Sequence, residues 1–423
     1  MGGTGSSVDP PGSAVYLGRD VMRQVYLDHQ SATPVLPEVF EAMRPFFTEA
    51  FGNPSSLHRH GLRAREAMAI ARAQTAALIH ASSPEEILFT SDGTESANLA
   101  IKGAAYASQR RGNHIVLSQI EHPAVLRSVE FLEKHGFTST MVKVDRQGFI
   151  YPGDIQAAIT DKTILIAIHL ANHDIGTIQP VREIGEVASR AGIALYVDAE
   201  AAAGWTSIKV DELGANLLSF SPHRFHGPKG VGVLYRNRRA RLSGILHGGS
   251  QENDLRAGIE NLPGIVGAGL AAEIALRDLA RRSGHCLNLQ RRLWEGLKAR
   301  IACLQLNGPL PGPERVPTNL NVSTEFVEGE SQVLLADLQG IAIAGSTSCI
   351  SKSLQTSHVL RSIGVPESLA QGSVILSPGK DNTAEDIDYV IETFEKVAAK
   401  LRDMSPAWDE YKKGAVRSVI CPE

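Results

Sequence analysis

SFSPHRFHGPKGVG, residues Ser219–Gly232, joins two apolar runs. Asn216–Phe220 reads as a buried strand that stops at Ser221, and Val231–Tyr235 reads as the next strand. The loop between them carries Ser221, His223, Arg224 and Lys229 among prolines and glycines. Hydroxyl, imidazole and basic groups on a loop at a strand end suit a phosphate-bearing ligand. Taken alone, the loop reads better as a basic surface turn, so its surroundings decide.

Upstream, strand and helix signals alternate. Val25–Asp28 is strand-like, Pro37–Phe47 and Gly61–His80 have helical spacing, and Glu86–Thr90 is a short strand. SDGTESANLAIKG then turns into a helix that opens near Thr94. Its free N–H groups and dipole form a weak anion site, and an ordinary cap explains the segment as well. Strands follow at His114–Ser118, Thr140–Val144, Thr163–Leu170 and Ile193–Val197, with helices at Ile155–Ala158 and Val181–Ala191. The nearly continuous apolar run of Thr163–Leu170 is that of a strand buried on both faces of a parallel sheet. The alternation predicts an α/β fold with a mostly parallel sheet. Glu121, His122, His173, Asp198 and His223 all lie just past predicted strands, where such sheets bind ligands.

After Gly249 the pattern changes to long helices at Gly264–Ala280 and Leu287–Ile301, short strands at Leu304–Leu306 and Asn319–Val322, and helices at Glu330–Leu338 and Ala384–Arg402. We expect a disordered tail over 1–24, a large α/β unit over 25–264 and a smaller α+β unit over 265–423, with 25–37 able to pack on the smaller one. The 423 residues, 43% apolar and 21% charged, are those of a globular chain. A formal charge of −4 gives no footprint for nucleic acid, and no run is apolar enough for a membrane span. Cys286, Cys303, Cys349 and Cys421 show no paired metal-type spacing, and so few cysteines suit a reducing cytoplasm.

YLDHQSATP, FGNPSS, TSDGTES, EHPAVL, Asp198, HRFHGPKGVGVLY, HGGSQENDLRAGIEN, EGES, GSTSCISKSL and LRDMSPAWDEYKKG occur in this order. Together they resemble the cysteine desulfurases of the iron–sulfur-assembly type, in the class-V aminotransferase group. The resemblance covers nearly all of Val25–Gly414. It implies a fold-type-I, pyridoxal-phosphate (PLP) homodimer with a large α/β domain and a smaller C-terminal one. Such enzymes strip sulfur from L-cysteine, leaving alanine and an enzyme persulfide for a scaffold protein. The chemistry uses a lysine imine, a carboxylate on the pyridine nitrogen, a stacked ring, a phosphate cradle and a mobile cysteine thiolate. By resemblance, Asp198 takes the pyridine-pairing position and His122 the stacking position. Gly93, Thr94, Ser221 and His223 match the phosphate cradle, His173 lies in the cofactor loop, and Cys349 takes the persulfide position.

The departures from the family pattern fall at chemically decisive places. Arg224 stands where the family has its imine lysine, and a guanidinium stays protonated, so it neither forms the imine nor shuttles protons. Lys229 matches the second, non-catalytic lysine. Ala201 replaces a Gln that bonds the ring oxygen, His173 an Asn, and Ile259 a Thr that reaches the partner's phosphate. Ile375 replaces the Arg that binds the substrate carboxylate, a strong bidentate contact. Asp92 replaces a Gly beside the phosphate turn, and Glu200 adds a carboxylate.

The pattern points to a desulfurase-like protein without ordinary PLP chemistry and without covalent PLP. It would be cytoplasmic and homodimeric, acting as scaffold, regulator or persulfide relay with an iron–sulfur scaffold or sulfur-acceptor partner. Arg224 is expected to pair with Asp198. One alternative is an active PLP-dependent desulfurase that uses Lys229 and gives L-alanine and a Cys349 persulfide. Another is different chemistry among His122, His173, His223, Asp198 and Asp92. The loop histidines lack a metal-ligand spacing, so no metal is expected.

Overall fold

The computed structural model describes residues 23–346 and 356–421. Cys349, and the 1–22 part of the expected tail, lie outside them. After the short strand β1 (Val25–Tyr26) come β2 (Ile87–Thr90), β3 (His114–Ser118), β4 (Thr138–Val142), β5 (Thr163–His169), β6 (Ala194–Asp198), β7 (Leu217–Phe220) and β8 (Gly232–Arg236). β2 to β8 form one sheet in the order β2-β8-β7-β6-β5-β3-β4. The pairs from β4 through β7 are parallel, whereas β8 runs antiparallel to both β7 and β2.

β5 is buried at every residue, as its unbroken apolar run requires. Its side chains alternate between faces. Ile166 and Ile168 join one apolar core, while Leu165 and Ala167 join the core on the opposite face. Helices cover both faces, so the sheet is an α/β sheet of the predicted class. Because β3, β5, β6 and β7 run the same way, their C-terminal ends open along one edge, which is the ligand crevice of such sheets.

A second sheet is built from β9 (Leu304–Leu306), β10 (Leu320–Thr324), β12 (Ala344–Gly345) and β13 (Ser373–Leu376), in the order β12-β13-β10-β9. Its core includes Leu293 and Leu297 of the Leu279–Arg300 helix and Val390 and Phe394 of the Ala384–Asp403 helix. β1 pairs in parallel with β11 (Ile341–Ala342), and Val25 and Leu27 enter this second core. The Leu262–Arg277 helix lies against the Arg59–Leu78 helix. A Cβ on Gly269 would come within 2.5 Å of Ala71 Cα, so this crossing needs a glycine. Ile265, Ala268 and Ala271 of that helix belong to a core of the seven-stranded sheet.

Among the described residues, no helix is long and apolar enough to cross a membrane. Cys303 and Cys421 form a disulfide, with Cα atoms 4.8 Å apart. It holds a C-terminal tail in which Ser418 donates to Glu325 at 2.5 Å and the Val419 N–H donates to the same carboxylate at 2.8 Å. Cys286 is buried and unpaired.

Candidate functional site

The loop after β7 begins with a 3₁₀ turn, Pro222–Arg224. The N-terminal DHQSATP segment clamps it. Thr33 donates to the His223 carbonyl through its hydroxyl, at 2.7 Å, and through its N–H, at 2.9 Å, and its hydroxyl oxygen accepts from the His226 N–H at 2.7 Å. From the other side, the Trp205 indole donates to the Arg224 carbonyl at 2.9 Å. The guanidinium is therefore delivered from a fixed backbone.

Its carboxylate partner is Glu200. Arg224 Nε lies 3.9 Å from Glu200 Oε2, too long for a hydrogen bond, and that buried Nε has no hydrogen-bond partner among the described residues. The expected Arg224–Asp198 pair does not form within 4 Å; Asp198 Oδ1 instead accepts from the Glu200 backbone N–H at 2.9 Å. The reason is local. β6 ends at Asp198, the chain turns over that carboxylate, and the next acidic side chain is the one that reaches the loop.

Glu200 Oε1 accepts from the Ser221 hydroxyl at 3.0 Å. The same oxygen lies over Gly93, the first residue of the Gly93–Ser108 helix, where a Cβ would stand only 1.8 Å away. Asp92, not Thr94, caps this helix by accepting from the Glu95 N–H at 2.7 Å. Gly93, Glu200, Ser221 and Arg224 thus meet at one helix N-terminus. Thr94 is exposed, and its side chain makes no hydrogen bond among the described residues. Burial and the nearby Asp198 push the Glu200 carboxyl up to about 8, against the opposing pull of Arg224 and Ser221.

A second cluster lies beyond β3 and β5. His122 and His173 meet edge to face with ring centroids 5.1 Å apart, and His173 lies 6.2 Å from His358. His358 Nε2 approaches the Glu121 carbonyl at 3.0 Å, which brings a residue from beyond β12 into the site. No motif marks His358; it stands shortly after the Cys349 segment. Asp174 pins the His173 loop, accepting from Asn321 at 2.7 Å, from Ser346 at 2.5 Å and from Ser357.

Burial holds His122 below its ordinary value, opposed by Asp198 and reinforced by Arg224. Burial and the neighbouring His122 and His358 hold His173 well below it. Burial, with Arg224 and Lys229, takes His223 down to about 4. These imidazoles are neutral at pH 7, so they can accept or donate one hydrogen bond each but carry no charge. Lys229 is exposed on its turn, and Ile375 lies within β13, paired with Asn321 and Ala344. Ala201 is packed into the core, whereas Ile259 is 61% exposed. No group of three or more His, Cys, Asp and Glu residues that could hold a metal occurs among the described residues.

Residues 25–390 match the family model described as aminotransferase class-V. The chain is 46% identical over 391 residues to cysteine desulfurase IscS of Clostridium botulinum, covering 92% of this chain and 98% of that one. It is 46% identical over 384 residues to cysteine desulfurase IscS of Methanosarcina thermophila, covering 91% and 94%. A solved NifS-like protein superposes with a TM-score of 0.84 at 34% identity, covering 90% of this chain and all of that one. The chain belongs to the class-V aminotransferase family and, within it, to the cysteine desulfurases.

Proposed function

We propose that this member of the family has given up covalent PLP chemistry and serves sulfur and iron–sulfur metabolism as a scaffold or as a persulfide relay through Cys349. The observation that carries the reading is Arg224. The family lysine position is held by a clamped guanidinium facing Glu200 at 3.9 Å. A guanidinium is not a practical imine nucleophile at neutral pH. Lys229, the nearest amine in sequence, is exposed on the turn.

The residues do not fit PLP as the family holds it. Ser221 already donates to Glu200, and Asp92 caps the helix whose N-terminus would face the phosphate. Ile375 offers the substrate carboxylate no charge. In a relay, the Cys349 thiolate would attack the outer sulfur of a donor persulfide, forming the Cys349 persulfide and releasing the donor thiol with its proton. No oxidant is consumed.

A homodimer belongs to the same reading by family resemblance; Phe40, Phe47, Phe51, Leu57 and Ile259 are exposed large apolar side chains that a second subunit could cover. The two-unit division near residue 264, a cytoplasmic location and a scaffold or sulfur-acceptor partner belong to the same proposal.

The test is a visible spectrum after incubation with PLP and dialysis, followed by borohydride and peptide mapping. The expected result is no retained imine band and no lysine adduct. A reduced cofactor mapped to Lys229 would overturn the proposal in favour of an active desulfurase that forms L-alanine.

A further inference from the structure

We infer that Glu200 is a built-in occupant of the phosphate cradle, and that the cradle behind it still binds a phosphate monoester once that side chain is removed. This deepens the preceding reading and rests on it, with Gly93 and Ser221 at the positions that the family resemblance gives the phosphate cradle. Ser221, the Gly93 helix terminus and Arg224 all face the Glu200 carboxylate. The Ser221 hydroxyl donates to Oε1 at 3.0 Å. The first residue of the Gly93–Ser108 helix lies against the same oxygen, close enough that any Cβ there would collide with it. Arg224 stands 3.9 Å from the other oxygen, with a buried Nε lacking any hydrogen-bond partner among the described residues. A hydroxyl, a helix N-terminus and a cation are the parts of an anion site.

The occupant matches that site in kind but holds it poorly. A carboxylate carries at most one charge on two oxygens, while a phosphate monoester brings up to two charges on three. With Asp198 and Asp92 beside it, Glu200 is in an already crowded acidic setting. With its carboxyl pushed up to about 8, Glu200 is largely protonated at pH 7, so an entering phosphate would meet a side chain that already fills the cradle and engages the Ser221 hydroxyl. Glu200 therefore acts by occupying space and by engaging Ser221, while Arg224 Nε is left without a hydrogen-bond partner among the described residues. The orphaned Arg224 Nε is the sign that the cradle was not rebuilt around the shorter anion.

The experiment is titration of wild type and Glu200→Ala with inorganic phosphate, with PLP and with pyridoxal, followed by calorimetry and by thermal shift at pH 7. Phosphate carries no aldehyde, so its binding reads the cradle alone. The expected result is at least about tenfold tighter binding of phosphate and of PLP by the variant, with no gain for pyridoxal. Adding Arg224→Ala to the variant should abolish the gain. Equal phosphate affinity in wild type and Glu200→Ala would overturn the inference, as would an equal gain for pyridoxal. If Glu200→Ala does not fold, Glu200→Ser gives the same comparison. A lysine adduct in wild type would overturn the loss of covalent chemistry without altering this phosphate comparison, so the two readings fail separately.

Discussion

His122 and His173 meet edge to face, 5.1 Å between ring centroids, with burial holding both imidazoles neutral. Protonating either one places a charge beside Arg224 in a poorly solvated site. In the unfolded chain both titrate near 6.5. The unfolded state therefore binds more protons, and stability rises with pH across that range. We predict that these histidines add no slope to the unfolding free energy above about pH 6.5 and lower it as pH drops from there towards about 4, where His223 titrates in the folded state. Histidine proton resonances followed from pH 8 to 4 check this; an imidazole of His173 titrating near 6.5 in the folded protein would contradict it.

Glu200 has the opposite slope. Its carboxyl is pushed up from 4.5 to about 8, so between these values the folded state holds a proton that the unfolded state has lost. Stability from this group is intact below about pH 4.5, declines as pH rises through the window, and levels off above about 8. Glu200→Gln cannot ionise. Its advantage over wild type in unfolding free energy should be small near pH 5 and grow to the order of a few kcal/mol by pH 8. A pH-independent difference would mean that Glu200 titrates normally.

The Cys303–Cys421 disulfide closes a span of 118 residues and tethers the C-terminal tail to the second sheet. A cross-link across a long loop typically contributes about 2–4 kcal/mol. Reductant, or Cys421→Ser, should lower the unfolding midpoint by matching amounts. In native protein without reductant, iodoacetamide should leave Cys303 and Cys421 unlabelled. Ready labelling of Cys421 under those conditions would show that the tail is untethered.

Much of this architecture is legible in the sequence because the large sheet is coded locally. Continuous apolar runs such as Thr163–His169 need burial on both faces, and the turn chemistry between them fixes the alternation. The sites at the ends of β3, β5, β6 and β7 follow from that alternation. What is not legible depends on side-chain reach. Nothing local tells which of Asp198 and Glu200 meets Arg224, because the choice is made by how the chain turns after β6. β13 carries no local signal, since Ser373–Leu376 is a run too short to stand out beside its Gly and Pro neighbours. His358 joins His173 only through tertiary contact, and the Cys303–Cys421 pairing spans most of the second unit.

Gly93 offers a direct test of where the Glu200 carboxylate lies. A Cβ there would meet Glu200 Oε1 at 1.8 Å and Ser221 Oγ at 3.0 Å. Gly93 is the first residue of its helix, where alanine is otherwise favourable over glycine by up to about 1 kcal/mol. Gly93→Ala in wild type must therefore displace a buried carboxylate, an overpacking change of about 1–3 kcal/mol. With Glu200→Ala the obstacle is gone, and the same methyl should be neutral or stabilising. The double-mutant cycle on these two positions should give a coupling of about 1 kcal/mol or more, read from urea unfolding. Additive effects would mean that Glu200 lies elsewhere, and the occupied-cradle account would lose its geometric basis.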